Sequence, residues 1–308
     1  MTPKQLTYFL RIAELGSFTR AAAVLYVAQP ALSRQIKQLE DDLGVMLFAR
    51  SDTGIRLTEA GVLLAERARS LLQQFESLRS EVGALGTSVQ GKLHFGMPTS
   101  LFDMVTVPLM TRYRTQYPAV HLGVTEGISS TVYQMVVAGE LDVGVVSSTE
   151  AMSGLEQQPL IRESLFLAYP ASLPVDLSPD GSVSLDQVAR HPLGLTRWPN
   201  AMRVTLDEAA RAQGLKITSL FDSNSSRLMI KAVVNGLGCT VNTYSALYEG
   251  HRSGAVQIAP IRELSNTWTL IYSRERGMPV AGQKLAELVV EIAGEGIASG
   301  IWPGAELV

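Results

Sequence analysis

The apolar positions of the N-terminal part of the chain fall into runs of helical spacing separated by short polar turns. Leu6, Phe9, Leu10 and Ala13 form one run, Ala21, Ala22 and Ala23 a short second one, and Leu32, Ile36, Leu39 and Leu43 a third with spacings of four, three and four. The pattern predicts three helices around a small core. Ser17 suits the cap of the second, and Pro30 the first turn of the third, where its missing N–H costs nothing. At Gly44 the period changes. Gly44 to Arg50 and Ile55 to Leu57, on either side of Ser51-Asp52-Thr53-Gly54, read as two short strands around a turn, a wing.

From Thr58, a suitable cap, Leu64, Ala68, Leu71, Phe75, Leu78, Val82 and Leu85 alternate spacings of four and three, with Glu66, Arg67, Arg69, Glu76, Arg79 and Glu81 elsewhere. This predicts a long helix with a coiled-coil seam, so Leu64, Leu71, Phe75, Leu78 and Val82 are the expected dimerisation positions. Packing of the stripe on the C-terminal part of the same chain is the alternative. Gly83, Gly86 and the stretch Thr87 to Gly91 end the helix in a short hinge.

Beyond residue 91 strands alternate with helices. Leu93 to Met97, Val120 to Thr125 and Asp142 to Val146 read as strands, with helices from Leu101 to Tyr117 and Ser130 to Ala138, a βαβαβ unit with a parallel sheet. A second unit takes strands at Leu165 to Tyr169, Leu193 to Leu195, Ser219 to Phe221 and Cys239 to Asn242. Its helices are Leu185 to Arg190, Arg203 to Gln213 and Ser226 to Asn235. A strand from Trp268 to Tyr272 and a helix from Val280 to Ile292 come last. The glycine-rich stretch Gly294 to Gly300, with no βαβ unit after it, reads as a flexible tail.

The third N-terminal helix carries the first chemistry. Opposite its buried stripe it presents Pro30, Ser33, Arg34 and Lys37, with Gln29 beside them. These groups reach base edges and phosphates when a helix enters a major groove. Thr19 and Arg20 open the preceding helix, and Arg50 and Arg56 flank the wing turn, suited to phosphates or a minor groove. The ordered set Phe9, Gly16-Ser17-Phe18, Ala21-Ala22, Gln29-Pro30-Ala31-Leu32-Ser33, Ile36, Leu39-Glu40, Leu43-Gly44, Leu47-Phe48, Arg50 and Leu57-Thr58-Glu59-Ala60-Gly61 resembles the winged helix-turn-helix of LysR-type transcriptional regulators.

That resemblance implies an α/β chain in four parts. They are a winged helix-turn-helix DNA-binding domain (1–58), a linker helix for dimerisation (59–88), a hinge (89–91) and an effector-binding domain (92–308) of the periplasmic-binding-protein type. The last part has two lobes, 92–161 plus about 267–302, and 162–266, with a cleft between them. It also implies a double-stranded DNA operator, a small-molecule effector, a homodimer or dimer of dimers, and contact with RNA polymerase.

Charge and composition fit this picture. The formal net charge is −3, yet residues 1–58 carry seven basic against five acidic side chains, net +2, leaving −5 for the remainder. With 46% hydrophobic residues and a mean hydropathy of +0.15, the 308-residue chain has ample material for two or three cores. No signal-like leader or spanning apolar run is present, which points to the cytoplasm and away from a membrane. Cys239, the single cysteine, excludes an internal disulfide and suits a buried strand.

Ligands of open α/β sheets lie outside the carboxyl ends of the strands, so the loops there are the places for an effector. Thr99 and Ser100, Ser129, and Ser147 follow the first three strands, while Thr196-Arg197-Trp198 and Asp222 to Ser225 occupy the matching places in the second unit. Hydroxyls at helix starts suit an anionic or carboxylate compound, although simple capping is the competing role for each loop. By the resemblance Thr99, Ser100, Ser129 and Thr196 line the cleft, and Arg203 can pair with an anion. The four histidines, His94, His121, His191 and His251, stand singly. No metal site, catalytic triad, phosphate loop or cofactor motif is expected, and no enzyme. A solute-binding protein would have no use for residues 1–91.

Overall fold

Thr2, Pro3 and Gln5 start the first helix by local chemistry alone. The Thr2 hydroxyl accepts the Gln5 peptide N–H at 3.3 Å and the Gln5 side chain accepts the Thr2 N–H at 2.8 Å, a reciprocal cap that opens α1 (Pro3–Leu15). Ser17 caps α2 (Phe18–Val24) through the Arg20 N–H, and Pro30 sits in the first turn of α3 (Gln29–Leu43). The computed structural model describes residues 1–51, 54–84, 89–147 and 151–308. The stripe expected to be buried is buried: Leu32, Ile36 and Leu39 are at most 2% exposed and pack with Phe9, Ile12 and Ala21.

The wing is the antiparallel pair β1 (Phe48–Ser51) and β2 (Gly54–Leu57), with Phe48 opposite Leu57. Residues 52–53 and the Arg50 side chain lie outside the described residues. Phe48 anchors the wing, its ring centroid 5.2 Å from that of Phe9 and 5.6 Å from that of Phe18. Thr58 then caps α4 (Glu59–Ala84), accepting the Gly61 N–H at 3.0 Å and donating to the Met46 carbonyl at 2.7 Å. A β-carbon at Gly61 would collide with the Leu47 carbonyl, so glycine lets α4 pass this close to the wing.

The α4 stripe divides in two. Leu64 joins the buried Ala65 and Ala68 in the core of the three N-terminal helices. Farther on, Leu71, Phe75, Leu78 and Val82 are exposed, between 44% and 61%. Leu85, and with it residues 85–88 at the end of the expected linker helix, lies outside the described residues. Val89 packs on the first core of the C-terminal part, and Gly91 already pairs with Val120.

The chain forms two compact units, one ending with the long helix and the other carrying a nine-stranded sheet. In order, the second unit contains β3 (Gly91–Pro98), α5 (Val107–Gln116), β4 (Val120–Gly127), α6 (Ser129–Ala138), β5 (Val143–Ser147) and β6 (Leu155–Tyr169). Then come α7 (Leu185–Ala189), β7 (Leu193–Leu195), α8 (Ala201–Ala212), β8 (Ser219–Asp222), α9 (Ser226–Val234), β9 (Cys239–Thr243) and α10 (Tyr244–Arg252). The unit closes with β10 (Gln257–Ser273), α11 (Val280–Ala298) and β11 (Ala305–Leu307).

The strand order is β4-β3-β5-β10-β6-β9-β7-β8, with β11 added to β6. Parallel triplets form the two ends, β3 between β4 and β5, and β7 between β8 and β9. One core gathers Phe95, Tyr113, Trp268 and Leu285, a second Leu165, Leu167, Leu193 and Cys239. Cys239 is 1% exposed and burial pushes its thiol up to about 11, as a packing role requires.

Three expectations change. The parallel unit expected of β3, β4 and β5 is present but continues into a mixed sheet, because β6 and β10 run antiparallel to each other through its centre and join the two lobes. Only their most apolar ends, Leu165 to Tyr169 and Trp268 to Tyr272, stood out as strands; Pro159, Pro260 and register shifts at Pro260/Ser265 and Trp268/Thr269 break the alternation elsewhere. The helix expected from Leu101 begins with a 3₁₀ turn (Thr99–Leu101) and a π turn (Phe102–Thr106). Regular α-helix starts beside Pro108, which has no N–H to give to an earlier turn. Finally, the expected tail is structure: α11 runs on to Ala298, and the chain returns as β11 against β6.

At the crossing from one lobe to the other stands a carboxylate with no cation beside it among the described residues. Glu163, on β6, is 0% exposed and accepts four hydrogen bonds: from the Ser245 N–H (2.6 Å), the Ser245 hydroxyl (2.9 Å), Trp268 Nε1 (2.7 Å) and Trp302 Nε1 (2.8 Å). It thereby ties β6 to the start of α10, to β10 and to the C-terminal segment. Burial pushes this carboxyl above its ordinary value, and the four donors oppose that shift. The Thr243 hydroxyl, 3.1 Å from that of Ser245, lets Ser245 turn and accept when the carboxyl holds a proton.

Glu163→Ala strands the Ser245 N–H and both indole N–H groups, so urea unfolding of the full chain should show a loss on the order of 3–5 kcal/mol. Glu163→Gln keeps the shape and fixes the neutral state. Because the folded pKa is raised, the wild type should be most stable relative to Glu163→Gln in acid, below the ordinary value of 4.5. That advantage should shrink as pH rises from there through the raised value; a pH-independent difference contradicts it.

Candidate nucleic-acid interface and ligand cavity

The outer face of α3 is assembled by its inner one. With Leu32, Ile36 and Leu39 buried, helical geometry turns Gln29, Pro30, Arg34 and Lys37 outward, all exposed, with Ser33 partly so. The Gln29 amide donates to the Ser33 hydroxyl at 3.1 Å. Arg34 and Lys37 form no ion pair among the described residues, so their charges are available. Arg56 on the wing is likewise exposed and unpaired there, and so is Thr19 at the start of α2. Arg20 is partly committed: its guanidinium donates to the Leu15 carbonyl at the end of α1.

One residue of this face was not legible as functional. Glu40, named in the sequence within the ordered set of the resemblance but given no role there, accepts the Leu47 N–H at 2.7 Å and the Phe48 N–H at 3.3 Å. It fixes the C-terminal end of α3 to the strand that begins the wing.

In the second unit a cavity of about 780 Å³ opens between the lobes. The start of α6 forms one wall with Ser129, Ser130 and Tyr133, and Val146 and Ser147 at the end of β5 adjoin it. The Ser147 N–H donates to the Ser129 hydroxyl at 2.9 Å, and among the described residues the Ser129 proton has no acceptor. The Ser147 hydroxyl bonds to the Asn266 side-chain oxygen on β10. Opposite stand Arg197, Trp198 and the face of α8 that carries Ala201, Val204, Glu208 and Arg211. Asn200 caps α8 by accepting the Met202 N–H at 3.0 Å, and Asn224 steadies the Arg197 N–H at 3.2 Å. The walls thus join two helix starts, two arginines and an aromatic surface.

Of the six residues expected at an effector site, Ser129 and Ser147 line this cavity. Thr99, exposed, and Ser100, partly buried, sit in the 3₁₀ turn after β3, and Thr196 is 7% exposed; none of the three is a lining residue. Arg203 lies outside the lining too. Its guanidinium already holds Asp207 (2.8 Å) and Asp222 (2.9 Å) and donates to the Thr196 carbonyl (3.3 Å). The Ser219 hydroxyl first, and Arg203 after it, hold the Asp222 carboxyl below its usual range. Arg203 is therefore a brace of the second lobe.

The arginine that faces the cavity from α8 is Arg211. Its signal was present: Ala201, Val204, Glu208 and Arg211 recur at spacings of three, four and three on the face opposite Met202, Leu206 and Ala210. Among the described residues no group of His, Cys, Asp and Glu could hold a metal ion, and no helix is long and apolar enough to cross a membrane.

Comparison with known proteins places both halves. Residues 3–62 match the family model of the bacterial regulatory helix-turn-helix protein, lysR family, and residues 86–293 match the LysR substrate binding domain. The nitrogen assimilation regulatory protein nac of Klebsiella aerogenes is 32% identical over 80% of this chain and 79% of its own length. The HTH-type transcriptional regulator BbuR of Bordetella bronchiseptica is 30% identical over 97% and 92%. Among solved structures, a full-length OxyR variant from Pseudomonas aeruginosa superposes with a TM-score of 0.74 at 25% identity, covering 94% of both chains. Full-length CbnR complexed with its target DNA gives 0.63 at 23%, covering 95% and 100%. With one family model on the winged helix-turn-helix and a second on more than half of the chain, this protein belongs to the LysR family of DNA-binding transcriptional regulators.

Proposed function

We propose that this regulator reads operator DNA through the exposed face of α3 and is switched by a small carboxylate held between the lobes. The observation that carries the DNA reading is the pair of unengaged cations, Arg34 and Lys37, on a helix whose opposite face is fully buried. Gln29, Pro30 and Ser33 complete the base-reading surface, Thr19 and Arg20 meet the backbone, and Arg50 and Arg56 position the wing. The fold shared with CbnR, solved with its target DNA, supports placing a duplex on this face.

For the effector, the Ser129 hydroxyl, the openings of α6 and α8, and Arg197 and Arg211 suit a carboxylate, while Tyr133, Trp198 and Val204 suit an apolar body. Thr196, buried and held through its carbonyl by Arg203, serves as a supporting group rather than a contact, and Thr99 and Ser100 stand outside the lining. The ligand takes part as an allosteric effector, with no cofactor, metal or catalytic step. Preferential binding to one lobe arrangement, worth about 1–3 kcal/mol, is enough to alter the DNA-bound state.

Self-association follows from the outer half of the α4 stripe, Leu71, Phe75, Leu78 and Val82, with Leu64 securing that helix to its own N-terminal core. Two heads double the phosphate contacts that a single weakly basic head makes. A homodimer, or a dimer of dimers, acting in the cytoplasm and engaging RNA polymerase completes the reading, with domain limits at 1–58, 59–88, 89–91 and 92–308.

In fluorescence anisotropy at fixed salt, Arg34→Ala should weaken binding to the DNA upstream of the protein's own gene by about tenfold or more without lowering the melting temperature. Undiminished affinity removes Arg34 from the interface. In a thermal-shift screen of aliphatic and aromatic carboxylates, any compound that raises the melting temperature should lose that effect in Ser129→Ala and Arg197→Ala. An unchanged shift in both places the ligand elsewhere. Because Phe75 and Leu78 are exposed, Phe75→Asp with Leu78→Asp should leave a folded chain that sediments as a monomer, and a persisting dimer assigns the contact to another surface.

A further inference from the structure

The turn between α2 and α3 contains a residue that the folding of this chain does not explain. Tyr26 has φ 55°, in the left-handed region, and is 95% exposed. It occupies the position just past the end of α2 in a two-bond helix-ending motif: its own N–H donates to the Ala23 carbonyl at 3.3 Å, and the Val27 N–H donates to the Ala22 carbonyl at 3.0 Å. Glycine is the usual occupant there, because a β-carbon in this conformation crowds the following carbonyl. The same chain uses glycine for the equivalent task at the ends of α1 and α3, Gly16 at φ 59° and Gly44 at φ 70°. At the end of α2 it carries instead a large aromatic ring. Among the described residues that ring meets no other ring, and its hydroxyl has no hydrogen-bond partner. Burial, packing and turn propensity all argue against tyrosine here, so its use must lie outside the folded chain.

Position supplies that use. Tyr26 is three residues ahead of Gln29, which opens α3, and Ala28 brings no side-chain cap to that helix. When the N-terminal turn of a helix enters a major groove, the segment preceding it crosses the groove's rim, where the phosphates run. Tyrosine hydroxyls are among the groups that hold phosphate oxygens and so set a protein's register on the duplex. We propose that Tyr26 is a DNA-backbone contact, its phenol O–H donating to a phosphodiester oxygen beside the groove that α3 faces. The proposal rests on the reading of α3 as the DNA-facing helix.

A phosphate contact is independent of sequence, so the operator need not be known. The full chain is titrated onto a mixed-sequence duplex of about 30 base pairs at fixed low salt, with melting temperatures measured in parallel. Tyr26→Phe should melt like the wild type and bind about three- to tenfold more weakly, the worth of one hydrogen bond. Tyr26→Gly should melt at the same or a higher temperature, its turn relieved, and bind at least as weakly as Tyr26→Phe. Binding by both variants within about twofold of wild type, while Arg34→Ala binds weakly, overturns the proposal and leaves the reading of α3 intact. A Tyr26→Gly chain that melts lower shows that the ring serves folding and also overturns it. Equal binding by wild type and Arg34→Ala overturns the reading of α3 and the proposal with it.

Discussion

A buried carboxylate needs compensation, and Glu163 receives it from four hydrogen-bond donors. Taking an anion out of water costs several kcal/mol even after relaxation, and a single misplaced partner would leave both the charge and a donor stranded. The four hydrogen bonds therefore constrain everything that supplies them. The first turn of α10, the indole of Trp268 on β10 and the indole of Trp302 after α11 all converge on one point of β6. That point lies where the two long central strands pass between the lobes, so this cluster decides how the chain crosses. The same constraint orders the C-terminal segment. Trp302 is 1% exposed, and the chain beyond it pairs β11 with β6, Ala305 opposite Glu163.

What the sequence revealed and what it hid separate by range. The N-terminal head was legible because its determinants are local: Thr58 capping α4, Ser17 capping α2, and a stripe of leucines three and four residues apart. The first parallel strands were legible for the same reason. The centre of the sheet was not, since β6 and β10 are some hundred residues apart and each owes its strand character to the other. Glu163 gave no local signal at all, because an isolated glutamate between Arg162 and Ser164 reads as solvated until Ser245, Trp268 and Trp302 are brought to it.

The candidate cavity shows the same division. Ser129 and Ser147 were found from hydroxyl chemistry at strand ends and helix starts, which is a local argument. Arg203 was attractive as a cation near the second lobe's strand ends. Part of its commitment was nevertheless readable, since Asp207 stands four residues on along the same helix; Asp222, on β8, was not. A cation already facing two carboxylates has little attraction left for a ligand, and the arginine of α8 that lines the cavity is Arg211.

Net charge misleads about the whole chain for a related reason: an overall −3 conceals a head whose outward cations, Arg34 and Lys37, form no ion pair among the described residues. The central claim, that two such heads read one DNA site, is tested most directly by footprinting the full-length protein on the DNA upstream of its own gene. Two half-sites should be protected, their centres about one helical turn, or a whole multiple of it, apart on one face of the duplex. Protection of a single half-site, or none at saturating protein, contradicts it.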